Sequence, residues 1–387
     1  MSEELSKACS ELSRSGADIA VLASVANVTY VTGVEVPIPF GAMAELTYAP
    51  WLTVIAVREE RGWAIVPNFA ASLFDEQSNG FEARSFETFD SFTDSSPRET
   101  YLSSLTQAIT EAGPPNNARI AFESRAVPSM VREAIANLWD DAVILEAEGP
   151  IAEARKTKTD REIMLLQRAS HLADVGHRAL AELVQESGHN EIDMWAALSA
   201  SIFKEAGQTI GLSGELVTGP RTSSVAYPNG PNDRTTADGD PALMDLSGRA
   251  SGYWFDCTNT HLIGEPEANN EQRRYAHASQ DACEAGMAAL KPGAKASDAA
   301  AAAERAFAMH GLPMAHYAGH QIGVTVNELP RLVPYDHSTI EVGMVFCVEP
   351  GAYQGPGGSF GARSEKMVLV RDDGPEVLST FEWGISR

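Results

Sequence analysis

The 387-residue sequence contains few cysteines and few basic residues. The cysteines include no C-x-x-C pair and are too widely spaced for a disulfide framework, which predicts a reducing, cytoplasmic location; they are Cys9, Cys257, Cys283 and Cys347. Basic residues number 29 against 53 acidic ones, giving a formal net charge of −24. A surface of this sign repels phosphate backbones, so we expect no nucleic-acid partner.

Long apolar runs are also lacking. No stretch reaches the roughly 18 consecutive apolar residues that a membrane span needs, so we expect no membrane association. The N-terminus lacks the basic start and continuous apolar core of a signal peptide, and therefore predicts no export. With 44% hydrophobic and 21% charged residues the composition is globular. At roughly 100–200 residues per domain, the length favours two domains.

The residue pattern changes at the short basic segment 154–160. Before it, β-rich runs alternate with turns and helical stretches, which indicates an α/β domain. After it, apolar residues recur at helical spacing and predict a long helix from Asp160 to about Glu186, with Asp160 as the cap. Later strands could pair antiparallel through local turns. We predict an α/β domain at 1–153 and an α+β domain at 154–387.

Two aspartates mark the first chemically informative segment. Asp245 ends an apolar run, and Asp256 follows a Ser-Gly turn eleven positions later, so a hairpin would bring the two carboxylates together. Two buried carboxylates repel each other unless a cation compensates them. Two strand-end aspartates that make turn hydrogen bonds would give the same pattern, and this alternative stays open.

A histidine and two glutamates follow in similar settings. His320 lies between small residues in GHQIG, Glu349 ends the apolar run MVFCVE, and Glu365 begins the run EKMVLV. Acidic residues seldom occupy apolar strands without a partner. Together the four acids carry four negative charges, which two divalent cations would neutralise.

These motifs occur in an order that resembles a known family. The succession D-x10-D, G-H-x-I-G, V-E-P-G and R-x-E is similar to that of the pita-bread metallohydrolases, which include methionine aminopeptidase, Xaa-Pro aminopeptidase, prolidase and creatinase-like enzymes. Residues 27–33 resemble the N-x-x-Y-x-T-G near the start of prolidase- and creatinase-type chains. Residues 155–162 resemble the R-x-x-K-x-x-x-E that opens their catalytic domain. The resemblance implies a creatinase/prolidase-like α/β N-terminal domain followed by an α+β pita-bread catalytic domain.

The resemblance also implies roles for individual residues. The implied metal ligands are Asp245, Asp256, His320, Glu349 and Glu365. They would hold two divalent ions (manganese, iron, cobalt or zinc), which activate a water and polarise the scissile carbonyl in such enzymes. Glu349 would also relay a proton, His316 would stabilise the tetrahedral intermediate, and Arg363 of the R-x-E motif would bind substrate.

Departures from the family pattern indicate an altered substrate pocket. Asn327 stands where the peptidases carry a second histidine that contacts the substrate carbonyl; its amide can donate a hydrogen bond but cannot change charge near neutral pH. The segment 218–227 lacks the histidine that precedes the first aspartate in peptidases, and Tyr227 or Arg221 could occupy that space. The usual D-x-T-R-T signature is altered to the DCTNT of residues 256–260.

Three functions remain open at this stage. The first is a dinuclear metallohydrolase that cleaves a C–N amide bond in an Xaa-Pro dipeptide or a compact small molecule. The second is a creatinase- or ectoine-hydrolase-like enzyme acting on a small nitrogenous compound. The third is a non-catalytic binding module on the same fold, against which the complete ligand set argues.

An apolar and aromatic segment at 34–51 bears on assembly. The resemblance implies a homodimer in which this segment closes the neighbouring subunit's active site. Phe40, Tyr48 and Trp51 are the candidate contacts, and Phe40 and Trp51 are candidate substrate-binding residues. Ordinary packing inside the N-terminal domain would explain the same aromatics.

Overall fold

The computed structural model describes residues 2–77, 80–89, 91–92, 94–225, 230–264 and 267–386. Two compact units are present, Met1–Arg155 and Lys156–Arg387. The predicted division, between 153 and 154, lies in the same helix as this boundary, Glu148–Lys156. Among the described residues, none of the helices has the length and apolar content that crossing a bilayer would require.

The first unit is an α/β domain, as the alternating pattern predicts. In chain order its elements are α1 (Glu3–Arg14), β1 (Ile19–Leu22), α2 (Val25–Thr32), α3 (Ala42–Leu46), β2 (Leu52–Ala56), β3 (Arg61–Pro67), a 3-10 helix (Asn68–Ala70), α4 (Ala71–Gln77), β4 (Phe81–Phe86), α5 (Pro97–Ala112), β5 (Arg119–Phe122), α6 (Ser129–Leu138), β6 (Val143–Glu146) and α7 (Glu148–Lys156).

The strands of this unit form one mixed sheet in the order β4-β3-β2-β1-β5-β6. Strands β1, β2 and β3 pair antiparallel, whereas β4, β5 and β6 each join by parallel pairing. Helix α5 packs one face of the sheet through Tyr101, Leu105 and Ile109, all fully buried. The sheet therefore has an apolar core of its own, which explains why the unit is compact.

The second unit has α+β composition. Its elements are α8 (Asp160–Leu183), α9 (Glu191–Ala206), β7 (Gly211–Thr218), a 3-10 helix (Gly219–Ser223), β8 (Pro241–Ala250), β9 (Tyr253–Leu262), α10 (Asn270–Ala289), α11 (Ala296–Met309), β10 (Gly319–Gln321), β11 (Glu328–Leu332), β12 (Val345–Val348), β13 (Gly351–Tyr353), β14 (Gly361–Arg363), β15 (Lys366–Arg371) and β16 (Gly374–Val377).

Three antiparallel groups of strands position the chemically informative residues. The orders are β7-β8-β9, β11-β10-β12-β15-β16 and β13-β14. A continuous apolar core joins α10 and α11 to the strands β12 and β15. The second unit thus holds short strand ends rigidly against a helical layer, and these ends carry the acidic residues.

The start of α8 corrects one prediction. Thr159, not Asp160, is the N-cap: its hydroxyl accepts a 3.2 Å hydrogen bond from the Glu162 amide, and the Glu162 carboxylate accepts a 2.9 Å bond from the Thr159 amide. This reciprocal capping box satisfies two helix-end donors at once. Asp160 is instead the first helical residue, where its negative charge interacts favourably with the positive end of the helix dipole.

Candidate metal centre

The hairpin of β8 and β9 brings the two predicted aspartates onto one face. In its register Asp245 lies opposite Thr258, and Ser247 lies opposite Asp256. Residues two apart on a strand share a face, and so do residues paired across strands, so all four side chains point the same way. The connecting turn is Ser251-Gly252, and both residues have positive φ, at 51° and 85°, as a tight two-residue hairpin turn requires.

The other three predicted ligands lie at the ends of neighbouring strands. His320 is on β10, Glu349 directly follows β12, and Glu365 directly precedes β15. Strand β12 pairs with both β10 and β15, which places the three side chains at one edge of the sheet. The Glu365 amide donates a 2.9 Å hydrogen bond to the Thr258 carbonyl and so ties this edge to the hairpin.

The five side chains form one cluster. Nε2 of His320 is 3.1 Å from Oε1 of Glu349 and 3.8 Å from Oδ2 of Asp256. Carboxylate oxygens of Asp245, Asp256 and Glu365 all lie within 4.8 Å of one another. The structure therefore brings together all five residues that the resemblance implied as metal ligands.

Two of the carboxylates have an oxygen that is buried and unpaired. Oδ1 of Asp245 and Oε1 of Glu365 have no hydrogen-bond partner among the described residues. Their other oxygens are bonded, since Oδ2 of Asp245 accepts from Arg363 and Oε2 of Glu365 accepts a 2.6 Å bond from Thr258. A buried carboxylate oxygen without a donor is costly unless a cation contacts it. The donor set, four carboxylates and one imidazole, fits divalent cations.

Electrostatics within the cluster support the same interpretation. Burial raises the pKa of Asp256 and of Glu365 well above the usual range, and mutual repulsion with Glu349 and Asp245 raises both pKa values further. Like charges this close disfavour simultaneous ionisation. A divalent cation between them would remove this penalty and hold the carboxylates ionised.

The His320 imidazole is oriented by its backbone contact. Its Nδ1 is 2.8 Å from the Gln321 carbonyl oxygen, so Nδ1–H donates there and Nε2 faces the carboxylates. Burial opposes charge on both partners, but the hydrogen bond between Nε2 and Glu349 raises the pKa of His320 and lowers the pKa of Glu349. The contact therefore favours the charged form of each partner.

Cys347 also lies within reach of this cluster, because its Sγ, a ring nitrogen of His320 and a carboxylate oxygen of Glu365 all lie within 4.8 Å of one another. Its thiol Sγ is 3.5 Å from the backbone carbonyl oxygen of Asp256. Burial and the neighbouring carboxylates raise the pKa of the thiol well above its usual value. Because a thiol binds metals as the thiolate, the carboxylates are the better ligands here.

Arg363 contacts the cluster. Its Nη2 donates 2.7 Å hydrogen bonds to Oδ2 of Asp245 and to Oε2 of Glu215, and its Nε donates to the Thr258 hydroxyl at 3.1 Å. The guanidinium, predicted to bind substrate, is thus occupied in orienting Asp245. Its Nη1 donates a 3.2 Å hydrogen bond to the Tyr353 hydroxyl.

Sequence reasoning missed several residues that contact the predicted ligands. Glu215, on β7 opposite Asp245, is buried, and burial raises its pKa. The sequence could have indicated Glu215, because it is a lone acid inside the apolar strand LSGELVT. Ser247 donates a 2.8 Å hydrogen bond to Asp256. The sequence could have indicated Ser247, because it lies two positions from Asp245 and residues two apart on a strand share a face.

The predicted catalytic residues His316 and Asn327 both contact Tyr317. Nδ1 of His316 is 2.9 Å from the Tyr317 carbonyl oxygen, and Nε2 is 3.3 Å from the Tyr353 hydroxyl. Burial lowers the pKa of His316, which favours the neutral ring. Nδ2 of Asn327 donates to the Tyr317 hydroxyl at 3.4 Å, and that hydroxyl hydrogen-bonds Glu349. Tyr317 was not predicted.

The remaining predicted substrate contacts are spread more widely. Arg221 pairs with the fully buried Glu191 and donates a 2.7 Å hydrogen bond to the Gly230 carbonyl. Tyr227 lies outside the described residues. In the first unit, Phe40 is 88% exposed, whereas Trp51 is 5% exposed. The Trp51 ring packs against Phe74 at 5.8 Å, so it belongs to the core of that unit.

Family models match most of the chain. Residues 164–372 match metallopeptidase family M24, and residues 5–157 match the creatinase/prolidase N-terminal domain. The chain is 32% identical over 223 residues to the probable dipeptidase PepE of Mycobacterium tuberculosis, covering 57% of each chain. It is 28% identical over 235 residues to the Xaa-Pro dipeptidase of Pyrococcus furiosus, covering 60% of this chain and 65% of that one. These alignments span less than two thirds of either relative's length.

Solved structures share the fold across nearly the whole chain. The prolidase from Pyrococcus horikoshii OT3 superimposes with a TM-score of 0.79 at 22% identity and covers 100% of both chains. The N-terminal domain of the FACT complex subunit SPT16 from chickpea has a TM-score of 0.72 at 15% identity and covers 99% of this chain and 96% of that one. The two-domain fold is thus shared by proteins described as peptidases and by a subunit of a larger complex. The match to the M24 model over more than half of the sequence shows that this chain belongs to metallopeptidase family M24.

Proposed function

We propose that the chain is a dinuclear metal-dependent hydrolase that cleaves a C–N bond in a dipeptide or a compact small molecule. The observation that carries this proposal is the pair of buried, unpaired carboxylate oxygens on Asp245 and Glu365. Buried acceptors without donors are rare, and a cation is the partner that their surroundings suit. The peptidase names of the relatives support the same class of reaction.

The proposed ligands are Asp245, Asp256, His320, Glu349 and Glu365. When bound, a pair of divalent ions (manganese, iron, cobalt or zinc) would supply Lewis-acid activation of the scissile carbonyl and of the attacking water. Oxygen-rich ligation favours manganese, iron or cobalt over zinc, because structural zinc is typically bound in tetrahedral sites.

The chain's own residues would manage the proton and the substrate. Glu349, in contact with both His320 and the Tyr317 hydroxyl, is the carboxylate placed to accept a proton from the attacking water and return it to the leaving nitrogen. Asn327 would donate from its amide towards the developing oxyanion. His316, whose Nε2 lies 3.3 Å from the Tyr353 hydroxyl, would stabilise the tetrahedral intermediate.

The substrate pocket is proposed to differ from that of ordinary prolidases. Asn327 replaces one histidine of the peptidase pattern, and residues 218–227 lack another. Each lost oxyanion donor costs about 2.7–4 kcal/mol of transition-state stabilisation, of which the Asn327 amide restores a part. We therefore expect poor turnover of Xaa-Pro dipeptides. The same change favours the second candidate, a creatinase- or ectoine-hydrolase-like enzyme that acts on a small nitrogenous compound.

A substrate panel tests the proposal. The chain is stripped with chelator and reloaded with Mn²⁺ or Co²⁺, and kcat/KM is measured on Xaa-Pro dipeptides, creatine and ectoine for wild type and Asn327→His. The matched control is Asn137→His, an exposed helical position in the first unit. We expect metal-dependent turnover of at least one compound and better dipeptide turnover with Asn327→His only.

Three outcomes would overturn the proposal or a part of it. Full activity after exhaustive chelation would refute the metal mechanism and favour a metal-independent, creatinase-like one. Efficient wild-type dipeptide turnover that Asn327→His leaves unchanged would show an ordinary peptidase pocket. Metal binding without turnover of any compound would favour the third candidate, a non-catalytic binding module.

For assembly we propose a homodimer formed through the N-terminal domain, and for location the cytoplasm. The support for the dimer is the exposure of apolar side chains in one segment: Phe40 is 88% exposed, Leu46 51% and Tyr48 45%. Phe40 and Tyr48 remain candidate contacts to the neighbouring subunit's active site. Light scattering of wild type and Phe40→Ser tests this, and an active wild-type monomer would contradict it.

A further inference from the structure

A chain of hydrogen bonds leads from the surface of the catalytic unit to Glu349. Nε of Arg331 donates to Oδ1 of Asn327 at 3.0 Å, and Nδ2 of Asn327 donates to the Tyr317 hydroxyl at 3.4 Å. The Tyr317 hydroxyl in turn hydrogen-bonds the Glu349 carboxylate. Arg331 lies opposite His320 in the pairing of β11 with β10, so its side chain starts on the face that carries the imidazole.

The direction of these bonds follows from what each group can do. A guanidinium has only donors, so the amide oxygen of Asn327 must face Arg331 and its NH₂ group must face Tyr317. The Tyr317 oxygen then accepts from this NH₂ group. Its own hydrogen is left for the carboxylate of Glu349, which is an acceptor. Each bond therefore fixes the orientation of the next.

The ring of Tyr317 is positioned independently of this relay. Its centroid lies 6.0 Å from that of His320 and 5.8 Å from that of His316. The ring is therefore held beside His316 and beside His320, which contacts Glu349. A neutral histidine at position 327 could fill the same two roles only in the tautomer whose acceptor nitrogen faces Arg331.

We propose that Tyr317 is a positioning residue that orients the Glu349 carboxylate for metal binding, and that Arg331 supports it through Asn327. This inference rests on the proposed role of Glu349 as a metal ligand. Groups that hydrogen-bond a ligating side chain typically change metal affinity or activity by 10–100-fold when removed.

The test measures Mn²⁺ affinity of the chelator-stripped full chain by isothermal titration calorimetry. The variants are Tyr317→Phe, Arg331→Gln and the double variant, with Tyr335→Phe as the control because Tyr335 is 78% exposed. We expect Tyr317→Phe to weaken Mn²⁺ binding about 10-fold and Arg331→Gln about threefold. In the double variant Arg331→Gln should cause no further loss, because its effect passes through the Tyr317 hydroxyl.

The sign of the Arg331 effect separates the relay from simple electrostatics. Removing a nearby positive charge would by itself strengthen cation binding, whereas loss of the relay weakens it. Tighter binding or additive effects would overturn the inference, and so would a Tyr317→Phe affinity equal to that of the Tyr335→Phe control. Wild type that binds no Mn²⁺ would instead overturn the proposed function and this inference together. Arg331 is exposed, so its variant keeps the test decisive even where Tyr317→Phe fails to fold.

Discussion

Two buried glutamates, one in each unit, have opposite surroundings. Glu123 of the first unit is 5% exposed and accepts three hydrogen bonds, from the amides of Ala23 and Ser24 and from the side chain of Asn27, at 2.8–2.9 Å. Glu365 of the second unit is 1% exposed, and its Oε1 has no partner among the described residues. Burial of an acid is therefore no sign of function by itself. Unused acceptor capacity shared by several clustered acids is the informative property, because a single buried oxygen without a donor also occurs on Glu148 of the first unit.

The second unit contains acids of both kinds, which strengthens this distinction. Asp174 is buried and accepts three bonds from Thr380 and Phe381, at 2.6–3.0 Å. Glu191 is fully buried and accepts bonds from the amide and hydroxyl of Thr218. These acids anchor loops. The carboxylates of the candidate metal centre repel one another instead.

A matched pair of substitutions, one at each glutamate, should show the largest difference between the two units. In chelator-stripped protein, Glu123→Gln should lower the free energy of unfolding by about 2–3 kcal/mol, because the amide cannot accept all three bonds. Glu365→Gln should leave it unchanged or raise it by up to about 1 kcal/mol, because it removes a repelling charge. Urea unfolding followed by tryptophan fluorescence measures both. Equal losses in the two variants would show that the distinction is wrong.

Arg221 tests the same idea inside the second unit. Arg221→Gln should lower the free energy of unfolding by about 2 kcal/mol, since the buried Glu191 loses its cation but keeps its other donors. KM should not change, because the guanidinium faces Glu191 and Gly230. Arg178→Gln, on an exposed position of α8, is the control. A raised KM with unchanged stability would return Arg221 to the substrate pocket.

The smallest expected effect concerns pH. Burial lowers the pKa of His177 from 6.5 to about 3, and its Nε2 is 3.0 Å from the Cys257 carbonyl oxygen. The unfolded chain therefore binds a proton that the folded chain excludes, and stability falls as the pH drops from about 6.5 towards about 3. Between pH 7 and 5 this one group should cost about 1–2 kcal/mol.

Replacing the histidine isolates this contribution. His177→Phe keeps the aromatic stacking on Phe381, where the ring centroids are 4.1 Å apart. Its unfolding free energy, measured by urea titration at a series of pH values, should decline less steeply below pH 6.5 than that of wild type. Identical slopes would show that His177 titrates normally in the fold.

The sequence predicted the regular elements well where the local signals were strong. Helix α5 begins after the predicted Ser-Pro start and ends before Gly113, whose φ of 60° only glycine adopts freely. The Ser-Gly turn predicted the β8–β9 hairpin correctly, because its register follows from a two-residue turn. Short strands such as β13 and β14 were missed, since three residues carry too little periodicity to detect.

For the candidate site, the ordered motifs located the acids and the imidazole but not their partners. The contacts of Arg363 with Glu215 and of Asn327 with Arg331 depend on strand register and on which atom faces which, and neither is encoded in spacing. The pairing of Arg221 illustrates the same point, because its partner Glu191 is 30 positions away on a different element. Side-chain pairing at long range is the part that the sequence alone could not supply.

The most direct test of the central claim is the metal stoichiometry of the second unit's carboxylate cluster. Chelator-stripped wild type is titrated with Mn²⁺ by calorimetry, alongside Asp256→Ala and the control Asp238→Ala, which replaces an exposed aspartate. We expect two equivalents for wild type and for the control, and loss of both binding and turnover for Asp256→Ala. Wild type that binds no Mn²⁺, or an Asp256→Ala variant that binds as well as wild type, would contradict it.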